Sequence, residues 1–209
     1  MLHFLPTRTQ HYIMKTKLLT IIILLISVKG YAQNPKTDHL SFKGVPIDGS
    51  LADYVSKMKQ NGFDHLGTEG ETAGLKGDFA GYKDCVVDVS TLRQKDLVHK
   101  IVVVFPAKDT WATLFENYRN LKEMLTEKYG KPTDVVEKFG GQYSQDADDR
   151  TKMYQVQIDN CKYYSIWQTE KGGIELSIAH KRVSNCFVKL SYFDKANGSI
   201  IRDKAKDDL

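Results

Sequence analysis

The sequence predicts an α+β protein made of two helix-plus-antiparallel-sheet units, with the helices packed on one face of the sheet. Two observations lead to this prediction. Apolar residues recur at helical spacing in two segments, and each segment is followed by several runs of alternating apolar and polar residues. Strands that follow a helix in this way favour α+β over a parallel doubly wound sheet. We expect residues 33–209 to form a single domain with two candidate structural halves, 39–106 and 107–194.

The first half is predicted to contain one short helix and several strands. His39 to Val45 has the pattern of a short strand, and Ser50 is a suitable N-cap for an amphipathic helix that ends at Gly62. Further strands are predicted at Gly74 to Ala80, Lys83 to Thr91 and Val98 to Phe105. The last of these is apolar on both faces, which is typical of a central strand. The glycine-rich segment Gly62 to Gly77 is interpreted as a mobile loop.

The second half begins with the longest predicted helix, which Asp109 can cap and which Gly130 and Pro132 end. Strands are then predicted at Val135 to Phe139, Lys152 to Asp159, Lys162 to Thr169, Gly173 to His180 and Asn185 to Tyr192. Ile174 and Leu176 are expected to face inward. The short links between these strands favour an antiparallel meander. The polar tail that begins at Lys195 is expected to fray.

The C-terminal half contains the segment Leu121 to Pro132, followed by Trp167, Gly173 to Leu176 and Val188 to Asp194. This combination resembles small exported bacterial proteins of unknown function. The helix-plus-meander pattern is also similar to the β-lactamase-inhibitor-protein-like fold and to small outer-membrane-assembly lipoproteins. The resemblance implies a fold and carries no catalytic motif. The lipoproteins are anchored through a cysteine, and no cysteine directly follows the apolar N-terminal run of this chain.

Residues 1–32 have the features of a cleaved export signal. Two lysines precede an apolar run from Leu18 to Val28, which is shorter than the about 20 apolar residues of a membrane span. Gly30 and Ala32 are small, as a signal-peptidase site requires. We therefore expect cleavage after Ala32 and a periplasmic or secreted product. Met14 is the expected true start, and a longer basic region that includes Arg8 is the alternative for residues 1–13. An uncleaved membrane anchor is the alternative.

The charge of the chain changes when the signal is removed. The whole chain has 30 Lys and Arg against 26 Asp and Glu, and the signal contains four basic residues and no acid. The mature chain is therefore close to neutral, which gives no reason to expect nucleic acid or an anionic membrane as a partner. No cofactor is expected either, because the chain lacks HExxH, CxxC, nucleophile-elbow and phosphate-loop motifs.

The mature chain contains three cysteines, Cys85, Cys161 and Cys186. In a meander, Cys161 and Cys186 open strands that flank a common neighbour, about 9.5 Å apart. A disulfide requires Cα atoms within about 7 Å, so none is predicted. The mature chain also contains four histidines, His39, His65, His99 and His180. None of them lies in a local signature of cysteine catalysis, so we predict neither catalytic residues nor a metal site.

Aromatic residues in the strand Lys162 to Thr169 suggest a binding face. Strand alternation separates Tyr164 and Ile166 from Tyr163 and Trp167. If Tyr164 and Ile166 pack on the helix, Tyr163 and Trp167 lie on the open face of the sheet, where aromatic side chains anchor interfaces. The alternative is that Trp167 faces the helix and belongs to the core.

The leading functional hypothesis is an exported, non-enzymatic binding or accessory protein that recognises a protein or ligand through an open sheet face. Its candidate binding residues are Tyr163 and Trp167, and its candidate partner is another envelope or extracellular protein. A small secreted enzyme of hydrolase type, with a site not visible in the sequence, is the alternative. A periplasmic accessory of envelope assembly is a third interpretation.

Overall fold

The computed structural model describes residues 38–92, 95–141, 146–181 and 185–207. Within these ranges the protein is α+β, with four helices, one two-stranded sheet and one eight-stranded sheet. The helices are α1 (Leu51–Gln60), α2 (Trp111–Tyr129), α3 (Asp149–Gln157) and α4 (Lys195–Asp207). The small sheet consists of β1 (Ser41–Phe42) and β2 (Val45–Pro46). The large sheet consists of β3 (Asp64–Glu69), β4 (Thr72–Phe79), β5 (Tyr82–Leu92), β6 (Lys95–Val104), β7 (Asp134–Phe139), β8 (Cys161–Thr169), β9 (Gly172–Lys181) and β10 (Asn185–Asp194).

The order of strands in the large sheet is β3-β4-β5-β6-β10-β9-β8-β7, and neighbouring strands are antiparallel. The strands β6 and β10 therefore meet in the centre, where Val103 pairs with Leu190. Both residues are buried, as the apolar pattern of β6 indicates. The strands β3 and β7 form the two edges of the sheet.

The two predicted amphipathic helices are confirmed. The Ser50 side chain accepts a hydrogen bond from the Asp53 backbone N–H, 3.1 Å away, at the start of α1. The N-cap of α2 is Thr110 rather than Asp109, and this helix ends at Gly130, whose φ of 83° favours glycine. Both helices bury apolar side chains in the same core, including Met58 from α1.

The core lies on one face of the large sheet, which we call the inner face. Its buried strand residues include Leu75, Val87, Ile101, Val103, Leu190, Tyr192, Ile174, Leu176, Tyr163 and Trp167. Phe42 from the small sheet closes one end of this core, with its ring centroid 4.9 Å from that of Phe79 and 5.7 Å from that of Tyr192. Burial of each large apolar side chain contributes about 1.5–3 kcal/mol to stability.

Four predicted segments have a different secondary structure. The tail from Lys195, which was expected to fray, begins with the helix α4, and His39 to Val45, which was expected as one strand, contains β1 and the turn to β2. Lys152 to Asp159 was expected as a strand, but most of it lies in the helix α3, because Asp148 caps the Thr151 backbone N–H at 2.8 Å. Gly62 to Gly77 was expected as a mobile loop, but it contains β3 and much of β4. Every residue of β3 is exposed. Its sequence therefore has no alternation of apolar and polar residues, which is the signal that identifies a half-buried strand.

Candidate binding face

Tyr163 and Trp167 lie in the core. Their expected placement on an open face is therefore wrong, and the alternative, in which Trp167 faces the helix, is confirmed. Tyr163 is 4 % exposed and Trp167 is 1 % exposed. The Tyr163 ring centroid lies 5.0 Å from that of Trp111 and 6.0 Å from that of Phe115, both in α2. The Trp167 Nε1–H donates a hydrogen bond to the Gly130 carbonyl oxygen, 2.9 Å away, where α2 ends. Neither side chain is available to a partner at the surface.

The hairpin between β8 and β9 determines this placement. Its turn pairs Thr169 with Gly172, and this register pairs Trp167 with Ile174. Directly paired residues project from the same face of a sheet. Ile174 was correctly expected to face inward. The length of the turn fixes which residue of β8 pairs with Ile174, and that residue is Trp167. The turn length was therefore the signal in the sequence that predicts an inward Trp167.

The opposite face of the sheet, which we call the far face, carries the alternate residues of the same strands. Its apolar members include Val86, Val102, Val104, Tyr164 and Ile166, and its polar members include Asp88, Lys100, Glu175, Ser177, Lys189 and Ser191. Val86 pairs with Val104, and Val102 lies two residues before Val104 in β6. These three half-buried valines form an apolar centre on the far face.

Charged and aromatic side chains lie beside the three valines. The Lys189 Nζ lies 3.8 Å from the Glu175 Oε1, and the Ser177 hydroxyl donates to the same carboxylate atom at 3.3 Å. The Lys100 Nζ lies 5.1 Å from the centroid of the Phe193 ring, which is 37 % exposed. Partly exposed pairs of this kind add little to stability.

Asp88 is a half-buried carboxylate on the far face, between Gly74 on β4 and Val102 on β6. Burial raises the pKa of the Asp88 carboxyl, and the positive charge of Lys181 opposes this effect. Within the described residues, no hydrogen bond or salt bridge reaches this carboxylate. A cation that approaches a partly desolvated carboxylate of this kind lowers its electrostatic free energy and so stabilises it.

The three cysteines are free thiols. The strands β8 and β10 lie on either side of β9, as predicted, so Cys161 and Cys186 flank a common strand, and Cys186 pairs directly with His180. Burial raises the pKa of Cys161 to about 12 and that of Cys85 to about 11, and it also raises the pKa of Cys186. These thiols remain protonated near neutral pH and are therefore weak nucleophiles.

Two histidines contact carboxylates. The His180 Nε2 lies 3.1 Å from the Asp159 Oδ1, and the His39 Nδ1 lies 3.1 Å from the Asp194 Oδ1. Asp194 is buried and also accepts hydrogen bonds from the backbone N–H groups of Leu40 and Asn197, both at 2.9 Å. Asp194 therefore joins the start of the described chain to the first turn of α4, which is a structural role.

Surface cavities cluster at the β3 edge of the sheet. One, of about 550 Å³, lies on the far face and is lined by Leu66, Gly67, Thr68, Glu69, Thr72, Gly74 and Asp88. Another, of about 500 Å³, lies between α1 and β3 and is lined by residues that include Val55, Lys59 and His65. The far-face cavity is the one that contains Asp88.

No family model, curated protein or solved structure matches this chain. In the part of the chain that the structure describes, no group of three or more His, Cys, Asp or Glu residues is placed to hold a metal ion. No helix among the described residues is long and apolar enough to cross a membrane.

Proposed function

We propose that this chain is an exported, non-enzymatic protein that binds another envelope or extracellular protein through the far face of its sheet. The observation that carries the proposal is the half-buried apolar centre of Val86, Val102 and Val104, with charged side chains beside it. Protein interfaces commonly combine an apolar centre with a polar rim. Because Tyr163 and Trp167 lie in the core, the proposed contact residues are those of the far face instead.

The export component of the proposal rests on residues 1–32, which lie outside the described residues. We propose cleavage after Ala32 and a periplasmic or secreted product. We also propose that the domain consists of two units, each a helix followed by a four-stranded meander, with both helices on the inner face. The order of strands supports this arrangement, because β3 to β6 follow α1, β7 to β10 follow α2, and β6 pairs with β10.

A secreted hydrolase is the competing function, and one group of side chains favours it. His180 contacts Asp159 and pairs with Cys186 in the neighbouring strand. A cysteine nucleophile, however, needs a thiol whose pKa is lowered, and burial raises the pKa values of both Cys161 and Cys186. Binding through the far face is therefore the better supported function.

Site-specific photocrosslinking in the producing cell tests this proposal. A photoreactive phenylalanine analogue replaces Tyr164 or Phe193 on the far face, so an aromatic residue replaces an aromatic residue in both variants. The same analogue at Tyr154, which is 55 % exposed on α3, is the matched control. We expect discrete protein adducts from the two far-face positions and at least tenfold weaker adducts from Tyr154.

Equal adduct patterns from the far-face and control positions would contradict binding through the far face, as would the absence of adducts from Tyr164 and Phe193. Sequencing of the N-terminus of the same purified protein tests the export component. We expect the mature chain to begin at Gln33. A chain that retains residues 15–32 would contradict cleavage.

A further inference from the structure

The far-face cavity at the β3 edge has the form of a trough. Gly67 pairs with Gly74, and Gly74 pairs with Asp88, so these three residues form one row across β3, β4 and β5. Because the first two have no side chains, the row is open from the edge strand to the Asp88 carboxylate. About 10 Å, or two inter-strand spacings, separate its ends. We call this row and its walls the Asp88 trough.

The walls of the Asp88 trough come from the neighbouring residues of the edge. Leu66 is 58 % exposed, and its Cβ would lie 3.8 Å from a Cβ at Gly74. Glu69 pairs with Thr72 on the other side of the row. The trough therefore has an apolar wall, a polar wall and a carboxylate at its inner end, and it opens at the sheet edge.

Neither the backbone nor the packing requires glycine at position 74. Gly74 does not have the positive φ that favours glycine, and a Cβ there would make only ordinary contacts, with the Leu66 Cβ at 3.8 Å and the Gly67 oxygen at 3.9 Å. Glycine weakens a strand interior and often marks a place where a ligand approaches the backbone closely. A β-bulge lies opposite Gly74, between His65 and Gly67 in β3, but it does not exclude a side chain at Gly74, and the absence of one leaves space beside Asp88.

The charge of the trough selects its occupant. Its lining includes two acidic residues, Glu69 and Asp88, and no basic residue. The nearby Lys76 is paired with Asp84 at 2.8 Å, and Lys181, whose positive charge acts on Asp88, lies outside the lining of the cavity. A cation in the trough would therefore meet carboxylates at the inner end and on one wall, whereas its aliphatic part would contact Leu66 and the glycine backbone.

We propose that the Asp88 trough binds one basic side chain, lysine or arginine, of the partner protein, with the aliphatic stem over Gly67 and Gly74 and the cationic end at the Asp88 carboxylate. This inference rests on the proposed function and specifies the chemistry of the partner. The raised pKa of Asp88 agrees with it, since the carboxylate is partly desolvated before any partner binds.

A titration followed by ¹⁵N–¹H NMR tests the trough without the partner. The probes are N-acetyl-arginine methylamide and N-acetyl-lysine methylamide, and N-acetyl-norleucine methylamide is the uncharged control of similar length. The protein is the product purified after expression of the full chain. We expect both basic probes to shift the amide resonances of Gly67, Gly74 and Asp88 in a saturable way, with norleucine at least tenfold weaker.

Two variants test the assigned residues. Asp88→Asn should weaken the basic probes at least tenfold, because charge-assisted hydrogen bonds to a carboxylate are about twice as strong as neutral ones. Glu123→Gln, which removes an exposed carboxylate on α2 away from the far face, should change the affinity less than twofold. Gly74→Val should abolish binding, and the unchanged dispersion of its spectrum would show that the variant is folded.

Norleucine binding as tight as that of the basic probes would overturn the trough proposal, as would an Asp88→Asn affinity within twofold of wild type. If the probes fail while Tyr164 and Phe193 still give adducts, the trough proposal fails and the proposed function stands. If the probes bind but Tyr164, Phe193 and Tyr154 give equal adducts, the proposed function fails and the trough remains a site for cationic groups.

Discussion

The two ends of the large sheet are built from opposite kinds of residue. Around β8, large aromatic side chains fill the space beneath α2. Around β3 and β4, two glycines that pair across the strands leave the sheet without side chains at two adjacent positions. Tyr163 and Trp167 contribute rings and a hydrogen bond to the inner face. Gly67 and Gly74 leave a trough on the far face that ends at Asp88. The aromatic residues, which are the stronger candidates by residue type, therefore stabilise the fold, and the glycines leave the space in which we propose that recognition occurs.

This difference has a physical basis. A large aromatic side chain that alternates correctly with its neighbours gains most free energy in the core, where its whole surface leaves water. A glycine in a strand interior lowers the stability of the folded protein, but it leaves room for another group beside the backbone. Residues whose substitution changes stability should accordingly lie on the inner face of the sheet, and residues whose substitution changes binding should lie on the far face. Three substitutions test this comparison, from the largest expected effect to the smallest.

Trp167→Ala should give the largest effect, a loss of about 3–5 kcal/mol in the free energy of unfolding. The substitution removes a fully buried ring and the hydrogen bond from Nε1 to the Gly130 oxygen. Urea unfolding measures the change. The control in the same strand is Tyr164→Ala on the far face, which should change the stability by less than about 1 kcal/mol. Equal losses from the two variants would contradict the assignment of the two faces.

Tyr118→Phe should reduce the free energy of unfolding at pH 7 by about 1–3 kcal/mol. The Tyr118 hydroxyl lies 2.8 Å from the Ser165 Oγ and donates to the Glu137 Oε1 at 3.1 Å. Ser165 is fully buried, so the substitution removes the partner of a hydroxyl that water cannot reach. Urea unfolding at a series of pH values measures this loss and its pH dependence.

The pH dependence follows from the pKa of Tyr118, which desolvation raises above its usual value. Above about pH 10 the unfolded tyrosine ionises while the folded one keeps its proton. Wild type then loses up to about 1.4 kcal/mol per pH unit through this group, and the phenylalanine variant does not. The difference between the two proteins should narrow as the pH rises above 10. A constant difference would contradict the burial of the hydroxyl.

The sequence correctly predicted the helices whose capping residues and apolar pattern point to the same structure as their packing in the core. Ser50 caps α1 as expected, and Gly130 ends α2. The strand predicted at Lys152 to Asp159 was wrong because Tyr154, Val156 and Ile158 alternate as a strand does, although the cap at Asp148 starts a helix. Local patterns of this kind leave two interpretations open until the packing partner is known.

The candidate site was less accessible to prediction than the fold. Tyr163 and Trp167 were placed by alternation alone, and alternation cannot tell which face the helix covers. The Asp88 trough was not predicted, because Gly67 lies in a segment interpreted as a loop, and Gly74 was expected only near the end of that loop and at the start of a strand. The trough exists because two glycines lie in one row with a carboxylate. That row can be recognised only when the register of β3, β4 and β5 is known.

Gly74→Ala should have the smallest effect and the opposite sign, an increase of about 0.4–1 kcal/mol in the free energy of unfolding. Alanine restricts the unfolded chain, and its Cβ makes only ordinary contacts in the folded one. Gly172→Ala is the contrasting control, because φ is +152° there and a Cβ would collide with the Phe193 carbonyl oxygen. Thermal unfolding of both variants measures the difference, and the NMR titration should show weaker binding of the basic probes to Gly74→Ala. A loss of stability at Gly74 would mean that the strand itself requires this glycine, and the argument that it leaves space for a ligand would then fail.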